Sequence, residues 1–559
     1  MYTTKLLIVG GGPAAISICL QVVDEYQRQH LGGPLEIIVF EKGAKIGPGL
    51  PYSKSDDCYI LNLPKDMMEP VYGKPGNFTK WLKSRPGAPQ DTEFPPRHYF
   101  GEYLHFLSKK IQVEATKIGI SIKYNTNCEV LNVEYNKGTV KVFTDQGDTV
   151  GDYLVFCTGH MSSSTYPNFI GKNGYFDNPW EEKLYEKLNP ESEITIIGTR
   201  LTAIDIVLKL FTSGHRGKIS MVSRSGMLPT VLSKDIPPYT LKHLTLANFD
   251  LMTQCGLRPL SLEDLAALSF AEINEAEGRS VLPNNIVRSY KEQSPECWLL
   301  DQIAQAELGP KPWQQVLFAT YPIVPNIWAM LSLQDKKKFI LHHKSTFLTY
   351  LASFPLENAY KLKEHIASRQ LNILGGVTEI VESNKREFVI HFKDRDSLTS
   401  KILINGTGAG YIPTMDPFYK RMIDSGLLEE HEAGGIKVDH RTLQVISPGI
   451  GNHPKIFAVG EITWGACLAT TDMSRVAIQS GRVALTLVRD CLKPLELAKI
   501  KSSLPEDRNK VVIHTSSYYG NFFNQSIGFF RRKPAILFGM SAIAVATTAT
   551  VFSRNYSKK

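Results

Sequence analysis

The sequence predicts an α/β fold with two Rossmann-like, three-layer units, β-meander inserts, a helical insertion and a C-terminal hydrophobic helix. Two observations carry this prediction. An apolar strand, a glycine turn, a helix and a second apolar strand follow one another at 5–42 and again at 194–224. Later in each half, a hairpin leads into an apolar strand that ends in Thr-Gly, so the chain contains two related halves.

The first unit carries Gly-Gly-Gly-Pro-Ala-Ala between its first strand and its helix. This matches the G-x-G-x-x-A form of the dinucleotide fingerprint. Gly10 makes the tight turn, Gly12 lets backbone approach a pyrophosphate, and Ala15 keeps the helix close to the sheet. The helix N-terminus offers N–H groups and partial positive charge to phosphates, and Glu41, after the next strand, can accept ribose hydroxyls.

Two other interpretations of this segment exist. It could be a glycine turn that only connects core elements, or a signal peptide, since it is apolar and N-terminal. The triple glycine and Pro13 interrupt the apolar core that an export signal needs, and the positive start is weak, so we reject export.

Composition excludes several functional classes. The net charge of +8 is a small excess for 559 residues, and no basic run is interleaved with aromatics, so no nucleic-acid partner is expected. The eight cysteines form no C-x-x-C pair. We therefore expect neither a metal site nor a redox dithiol, and a reducing compartment fits best.

The second unit has Arg200 where the fingerprint has its second glycine. This side chain could block the approach of a pyrophosphate or bind it as a cation. Arg224 follows the second strand, where an arginine suits a 2′-phosphate, so NADP(H) is favoured over NAD(H). The alternative is that this unit keeps the fold and binds no nucleotide.

The segments between and after the two units are predicted as follows. A helix is expected over 96–118, and helices dominate 240–370. We expect a β meander over 120–156, with strands at 121–124, 129–135, 139–144 and 153–157 and its hairpin turn at 145–148. The segment 377–408 resembles 128–159, because Val140, Phe143 and Asp145 align with Val389, Phe392 and Asp394.

Late in the chain, a strand ends at Gly460-Glu461, and a helix rich in small residues follows at 472–488. An acid in this place can hold a ribityl hydroxyl, while the helix dipole faces the polar edge of a flavin.

Together these motifs resemble those of the two-dinucleotide-binding-domain flavoproteins, near the flavin-dependent N-hydroxylating and Baeyer–Villiger monooxygenases. The resemblance covers about residues 5–490. The residues that carry it are Gly10, Gly12, Ala15 and Glu41, the loops 47–53 and 60–68, Thr158-Gly159, 198–205, 214–217, 223–226, 406–408 and Gly460-Glu461.

The resemblance implies an FAD site in the first unit and an NADP(H) site in the second, with NAD(H) as the alternative. Gly10, Gly12, Ala15, Glu41 and Glu461 would hold FAD. Near its ribityl chain or ring would lie Gly49, Tyr52 and Asn62, and NADP(H) would contact Gly198, Thr202, Ser223 and Arg224. The other predicted cofactor-binding residues are Pro13, Ala14, Lys42, Thr158, Gly159, Gly408 and Gly460. No catalytic residue is assigned, and His160 is the one histidine to test.

The expected domain organisation follows from these units. It comprises an FAD-binding domain at 1–165 and 413–492, an NAD(P)-binding domain at 166–240 with its return meander at 373–412, a helical insertion at 241–372, a linker at 493–533 and a hydrophobic helix at 534–552.

The last segment differs in composition from the rest. No charged residue occurs from Pro534 to Phe552, and Arg531-Arg532-Lys533 precede it. At about 1.5 Å per residue, a helix there would cross most of a ~30 Å hydrocarbon core. We expect a tail anchor on the cytoplasmic face of a membrane. The alternative is a helix that packs on protein or lies on a surface, in a cytoplasmic protein.

The functional expectation is an FAD-dependent, NAD(P)H-using oxidoreductase that hydroxylates a small molecule. One alternative is a membrane-tethered NAD(P)H dehydrogenase that reduces a quinone or a protein partner. Another is a flavin-binding scaffold without catalysis.

Overall fold

A computed structural model of the protein describes residues 2–161, 165–280 and 293–493. The strands are β1 (Thr4–Val9), β2 (Leu35–Glu41), β3 (Ile120–Thr126), β4 (Val130–Asn136), β5 (Thr139–Thr144), β6 (Gly147–Gly151), β7 (Tyr153–Phe156), β8 (Tyr175–Phe176), β9 (Ile194–Ile197), β10 (Ile219–Val222), β11 (Leu371–Leu374), β12 (Val377–Glu382), β13 (Phe388–Phe392), β14 (Leu398–Ser400), β15 (Leu403–Asn405), β16 (Gln444–Ser447) and β17 (Gly451–Ala458).

The α-helices of the described residues are α1 (Pro13–Arg28), α2 (Asn77–Lys83), α3 (Arg97–Thr116), α4 (Glu182–Lys187), α5 (Leu201–Thr212), α6 (Leu246–Met252), α7 (Leu262–Glu277), α8 (Pro295–Glu307), α9 (Pro312–Ala319), α10 (Val324–Met330), α11 (Leu333–His342), α12 (Lys344–Leu351), α13 (Leu356–Ala367), α14 (Pro417–Asp424), α15 (Trp464–Cys467) and α16 (Met473–Leu485).

The first unit is a six-stranded sheet in the order β16-β17-β7-β1-β2-β3. Its strands pair in parallel except β16, which is antiparallel to β17. The central strands are fully buried apolar runs, as expected for strands covered on both faces. The second unit is a five-stranded parallel sheet in the order β11-β10-β9-β15-β8. The predicted α/β fold is confirmed.

The prediction for 120–156 is partly wrong. The meander consists of β4, β5 and β6, whereas β3 and β7 belong to the parallel sheet, where they pair with β2 and β1. The predicted turn at 145–148 already contains the start of β6. Local alternation showed where the strands lie, but their assignment to a sheet depends on pairing with residues far away in the sequence.

The helical insertion, α6 to α13, shares one apolar core with the second unit. Trp298 and Trp328 are buried in this core with residues of α5 and β9. The Trp328 indole N–H also donates to the Gly465 carbonyl oxygen at 2.7 Å, which ties α10 to the C-terminal part of the first unit. The insertion is therefore fixed to both units.

A buried ion pair joins the two units directly. The Arg97 guanidinium donates to Asp205 Oδ2 at 2.7 Å and Oδ1 at 3.1 Å, and its Nε donates to the Ile60 carbonyl oxygen at 2.8 Å. Both side chains are about nine-tenths buried. Arg97 begins α3 of the first unit and Asp205 lies in α5 of the second, so the pair fixes one helix against the other.

Within the described residues, no helix is long and apolar enough to cross a membrane. Two predicted segments lie outside the described residues: the hydrophobic helix at 534–552 and most of the linker. The described residues therefore do not support the membrane prediction.

We expect Asp205→Ala to lower the free energy of unfolding by about 3–5 kcal/mol, because it leaves the buried Arg97 charge without its partner. Urea unfolding measures this change. The control is Asp424→Ala, which breaks the exposed Lys420–Asp424 pair and should cost less than about 1 kcal/mol. Equal losses in the two variants would contradict the role given to the buried pair.

Candidate cofactor-binding site

The first glycine turn has no room for a side chain at Gly10. Its φ is +96°, and a Cβ atom there would lie 2.3 Å from the Cys157 carbonyl oxygen. The Gly10 N–H donates to Phe40 O and the Cys157 N–H to Val9 O, both at 2.8 Å. The turn is therefore pressed against the end of β7, and no side chain caps the N-terminus of α1 that follows it.

The loop after β2 lies against the same helix terminus. Gly49 Cα is close to Gly12, since a Cβ on Gly12 would meet it at 3.4 Å, and a Cβ on Gly49 would meet Pro13 Cδ at 2.9 Å. The Tyr52 ring packs edge-on against Phe100, with ring centroids 4.9 Å apart. The fold thus brings this loop to the predicted FAD turn.

Glu41 holds the turn in shape. Its Oε2 accepts from the Gly11 N–H and its Oε1 from the Gly43 N–H, each at 2.7 Å. A carboxylate has about four acceptor positions, so both oxygens can accept a further hydrogen bond. Lys42 beside it is exposed.

The second glycine turn repeats this construction. Gly198 has a φ of +118°, and a Cβ atom there would lie 2.5 Å from the Gly406 carbonyl oxygen. The Gly198 N–H donates to Val222 O and the Gly406 N–H to Ile197 O, both at 2.8 Å. No side chain caps the N-terminus of α5 either.

Arg200 reaches away from the glycine turn to the helical insertion. Its Nη2 donates to the Ser345 carbonyl oxygen at 2.7 Å and to Ser345 Oγ at 2.8 Å. The side chain thus fastens α12 beside the second turn. The two functions that the sequence left open, blocking or binding a pyrophosphate, remain predictions.

The other residues predicted for the second site gather around the same turn. Gly408 lies near Thr202, since a Cβ on Gly408 would meet Thr202 Oγ1 at 3.7 Å. The Ser223 hydroxyl accepts from the Gly226 N–H at 2.9 Å and lies 3.1 Å from Thr199 Oγ1. Arg224 is exposed at the end of β10.

Glu461 is buried, with only 3% of its surface exposed. Within the described residues neither carboxylate oxygen has a partner at full hydrogen-bond geometry, although His160 Nε2 is 3.7 Å from Oε2 and the Tyr411 hydroxyl interacts with the carboxylate. Burial raises the pKa of Glu461, while His160, the Tyr411 hydroxyl and Lys344 act in the opposite direction. A buried carboxylate with open acceptor positions suits a ligand that brings hydroxyl groups.

Lys344, the first residue of α12, lies over two aromatic rings near Glu461. Its Nζ is 4.0 Å from the Trp464 ring centroid and 4.3 Å from that of Tyr411. The pKa of Lys344 is lowered to about 8, chiefly by burial; Glu461 acts against this shift, and Arg200 adds to it. A cation over two rings is stabilised in its place even where it makes no direct salt bridge.

A cleft of about 480 Å³ opens beside this cluster. Its acidic residues are Glu430 and Glu432. His431, which also lines it, packs against Gly465, where an added Cβ would meet the His431 ring at 2.5 Å. The cleft is therefore next to Trp464 and Tyr411, with two carboxylates on its wall.

The structure thus brings the predicted residues together in three groups. One surrounds the N-terminus of α1, one surrounds that of α5, and one joins Thr158-Gly159-His160 to Gly460-Glu461. Lys42 directly follows Glu41, and its side chain is exposed. Asn62 lies in the loop 60–68, whose Ile60 carbonyl oxygen accepts from Arg97. Sequence reasoning missed Lys344, Tyr411 and Arg97, which carry no local motif and reach the site only through the tertiary fold.

Comparisons with known proteins agree with this geometry. Residues 7–161 match the family model described as FAD-NAD(P)-binding, and residues 92–258 match that described as pyridine nucleotide-disulphide oxidoreductase. The uncharacterized protein YdhS of Escherichia coli (strain K12) is 23% identical over 468 residues, which span 74% of this chain and 85% of YdhS.

Three solved structures share the fold. The Kutzneria sp. 744 ornithine N-hydroxylase KtzI is 14% identical, with a TM-score of 0.51 over 88% of this chain and 100% of its own. The L-lysine 6-monooxygenase of Pseudomonas syringae is 15% identical, with a TM-score of 0.52 over 87% and 100%. The Erwinia amylovora cadaverine monooxygenase DfoA, bound to FAD, is 14% identical, with a TM-score of 0.53 over 88% and 95%.

The predicted resemblance is confirmed at the level of fold and domain type. The chain carries domains of the FAD-NAD(P)-binding and pyridine nucleotide oxidoreductase types, and it shares its fold with flavin-dependent N-hydroxylating monooxygenases.

We expect Gly12→Ala to weaken FAD binding about tenfold or more without unfolding the protein. Gly12 has a φ of −80°, and its Cβ would only touch Gly49, so the added methyl group would obstruct the pyrophosphate rather than the fold. Fluorescence titration of the apoprotein with FAD measures the affinity.

The matched control is Gly33→Ala, whose Cβ would meet only Tyr26 Oη at 3.8 Å. It should retain both FAD affinity and thermal stability. Wild-type affinity in Gly12→Ala would show that no pyrophosphate lies against this turn.

Proposed function

We propose that the protein is an FAD-dependent, NADPH-using monooxygenase that hydroxylates a small molecule. The observation that carries the proposal is the buried Glu461 carboxylate, whose oxygens lack a well-formed hydrogen bond in the described chain, together with the uncapped N-termini of α1 and α5. A binding site for one nucleotide on each unit, together with this buried acceptor, suits hydride transfer from one cofactor to the other.

The first unit has features that fit FAD. The N-terminus of α1 can bind the pyrophosphate, with Gly12 giving it close approach. Glu41 and Glu461 would accept hydroxyls of the ribose and of the ribityl chain. Thr158 and Gly159 end β7 beside the turn, where the backbone lies close to the cofactor.

The second unit has features that fit NADPH. The N-terminus of α5 follows Gly198, and Thr202 and Gly408 lie together beside it. Arg224 is exposed at the end of β10, where a guanidinium can bind the 2′-phosphate in a bidentate manner. The Arg200 guanidinium is near enough to Lys344 to affect its pKa, so the region around this turn is cationic.

The cysteines argue against a disulphide as the electron acceptor. Each described cysteine is a free thiol, and five of the eight, including Cys157 and Cys467, are buried. Burial raises the pKa of Cys467 to about 11, so this thiol is not prepared as a nucleophile. The chain's own thiols are therefore not proposed as the group that accepts electrons from the flavin, and we propose oxygen as the acceptor.

A basic amine is the substrate class that the cleft favours. Glu430 and Glu432 line it. Glu432 is paired with Lys437 at 3.2 Å, so the attraction for a cation rests mainly on Glu430. The neighbours named for ornithine, lysine and cadaverine act on amines of this kind. Tyr411 lines the cleft, and Lys344 lies over its ring, so the cleft is next to the residues around Glu461.

FAD, when bound, supplies the hydride acceptance and the oxygen chemistry. The chain's own residues position the two nucleotides, hold them at a fixed separation through Arg97 and Asp205, and cover the junction with the helical insertion. No side chain needs to act as a nucleophile.

The direct test uses purified full-length protein. We expect a yellow protein whose flavin absorbance is bleached by NADPH without oxygen, because the two sites face each other across a fixed junction. In air, basic amines should give a hydroxylated product by mass spectrometry, and their neutral N-acetyl derivatives should not. Quinone-dependent NADPH oxidation without product would favour the dehydrogenase alternative, and a flavin that neither NADPH nor NADH bleaches would favour the scaffold.

Arg224→Gln should weaken NADPH binding about tenfold or more, because a hydrogen bond to a charged group contributes about 1.5–3 kcal/mol. NADH binding should not change, since NADH lacks the 2′-phosphate. Stopped-flow flavin reduction at several nucleotide concentrations gives both values. Arg216→Gln removes an exposed arginine paired with Glu191 and should leave both unchanged. An equal effect of Arg224→Gln on NADH would refute this role.

A further inference from the structure

Arg475 presents two buried N–H donors that the protein leaves unused. It lies in the first turn of α16, and its side chain is 8% exposed. Nη1 forms an ion pair with Asp472 Oδ2 at 2.9 Å. Among the described residues, neither Nε nor Nη2 has an acceptor that meets hydrogen-bond geometry, although Arg475 interacts with the Tyr321 hydroxyl and acts to lower its pKa. Leaving donors of a charged group buried and unsatisfied is unfavourable, so their persistence indicates an acceptor that comes from outside the chain.

Two parts of the protein lie against Arg475 and the helical turn that carries it. The Tyr321 ring of the helical insertion lies over the guanidinium, with the Arg475 Cζ atom 3.7 Å from the ring centroid. The Ser474 hydroxyl donates to Met67 O at 3.1 Å, which places the first turn of α16 against the loop 60–68 of the first unit. The Arg475 guanidinium is therefore covered on the side of the insertion, and the helical turn that carries it lies against that loop.

The first turn of α16 interacts electrostatically with residues of the candidate FAD site. Asp472, the N-cap of α16, is near enough to raise the pKa values of Tyr52, Glu461 and Tyr321. Glu461 is the candidate ribityl acid, and Tyr52 lies in the loop that meets the N-terminus of α1. Arg475, which is paired with Asp472, is thus close to the residues predicted to bind FAD.

We propose that Arg475 contacts the pyrimidine edge of the flavin and supplies a positive charge there. This inference rests on the proposed function, because it requires bound FAD. The N1–C2=O edge of a flavin provides hydrogen-bond acceptors and becomes negatively charged on reduction. The N-terminus of α16 adds partial positive charge of the same sign, and the tuning of a cofactor by charge near N1 is a general function of flavin-binding proteins.

The test is sulfite binding to the oxidised full-length holoprotein, followed by the midpoint potential of its flavin. Sulfite adds its lone pair to flavin N5, no group leaves, and the negative charge passes to the N1–C2=O edge. Its affinity therefore reports positive charge at that edge and requires no substrate and no NADPH.

Arg475→Met should weaken sulfite binding about tenfold or more, since a unit charge near the edge is lost. For the two-electron potential, tenfold corresponds to a decrease of about 30 mV. Arg475→Lys keeps the charge and should stay within about threefold of wild type. Asp472→Asn removes the counter-charge but keeps a good N-cap, so sulfite should bind more tightly.

Arg489→Gln is the matched control. Arg489 follows α16 on the same helical stretch and pairs with Glu25 at 2.7 Å, so this variant removes one positive charge away from the site. It should leave sulfite affinity unchanged. An equal effect of Arg489→Gln and Arg475→Met would overturn the inference, because total charge would then explain both.

The remaining outcomes also decide the question. If Arg475→Met binds sulfite like wild type but raises the KM of an acidic substrate, the guanidinium binds a substrate anion and the inference is wrong. If Arg475→Met does not fold, an unchanged or weakened sulfite affinity in Asp472→Asn overturns it. A colourless wild-type protein that FAD cannot reconstitute overturns the proposed function as well, whereas a yellow protein with an unchanged potential in Arg475→Met overturns this inference alone.

Discussion

The placement of the candidate site depends on the buried ion pair between Arg97 and Asp205. Each nucleotide-binding helix is fixed within its own sheet by apolar packing, but apolar packing alone lets one unit slide against the other. A bidentate pair with a third bond from Arg97 to Ile60 O has one geometry, and separation would leave two charges buried and unpaired. The two helix N-termini therefore keep a constant separation, which hydride transfer between two bound cofactors requires.

Within each unit, one steric constraint fixes the turn. Gly10 and Gly198 both have positive φ values and both face a carbonyl oxygen at the end of the return strand, that of Cys157 or Gly406. The same pair of backbone hydrogen bonds is found in both halves. A residue with a side chain at either glycine would push the return strand away, and the Thr-Gly that follows would lose its position near the helix N-terminus.

This repetition explains why so much of the architecture could be predicted from the sequence. The glycine turns, the apolar strands beside them and the repeated Thr-Gly are local signals, and each has a steric reason that holds in any chain. The assignment of β3 and β7 to the parallel sheet could not be predicted in this way, because it depends on partners distant in the sequence. Lys344, Tyr411 and Arg475 were missed for the same reason, since a lone lysine, tyrosine or arginine has no motif.

The helical insertion connects these missed residues. It supplies Lys344 over the rings of Trp464 and Tyr411, Ser345 as the acceptor for Arg200, and Tyr321 over Arg475. These contacts involve the second unit and the C-terminal part of the first, and all lie near Glu461 or α16. An element that contacts both units at the junction can bias cofactor geometry and substrate access together. The helical insertion thus provides the charged and aromatic side chains around the junction.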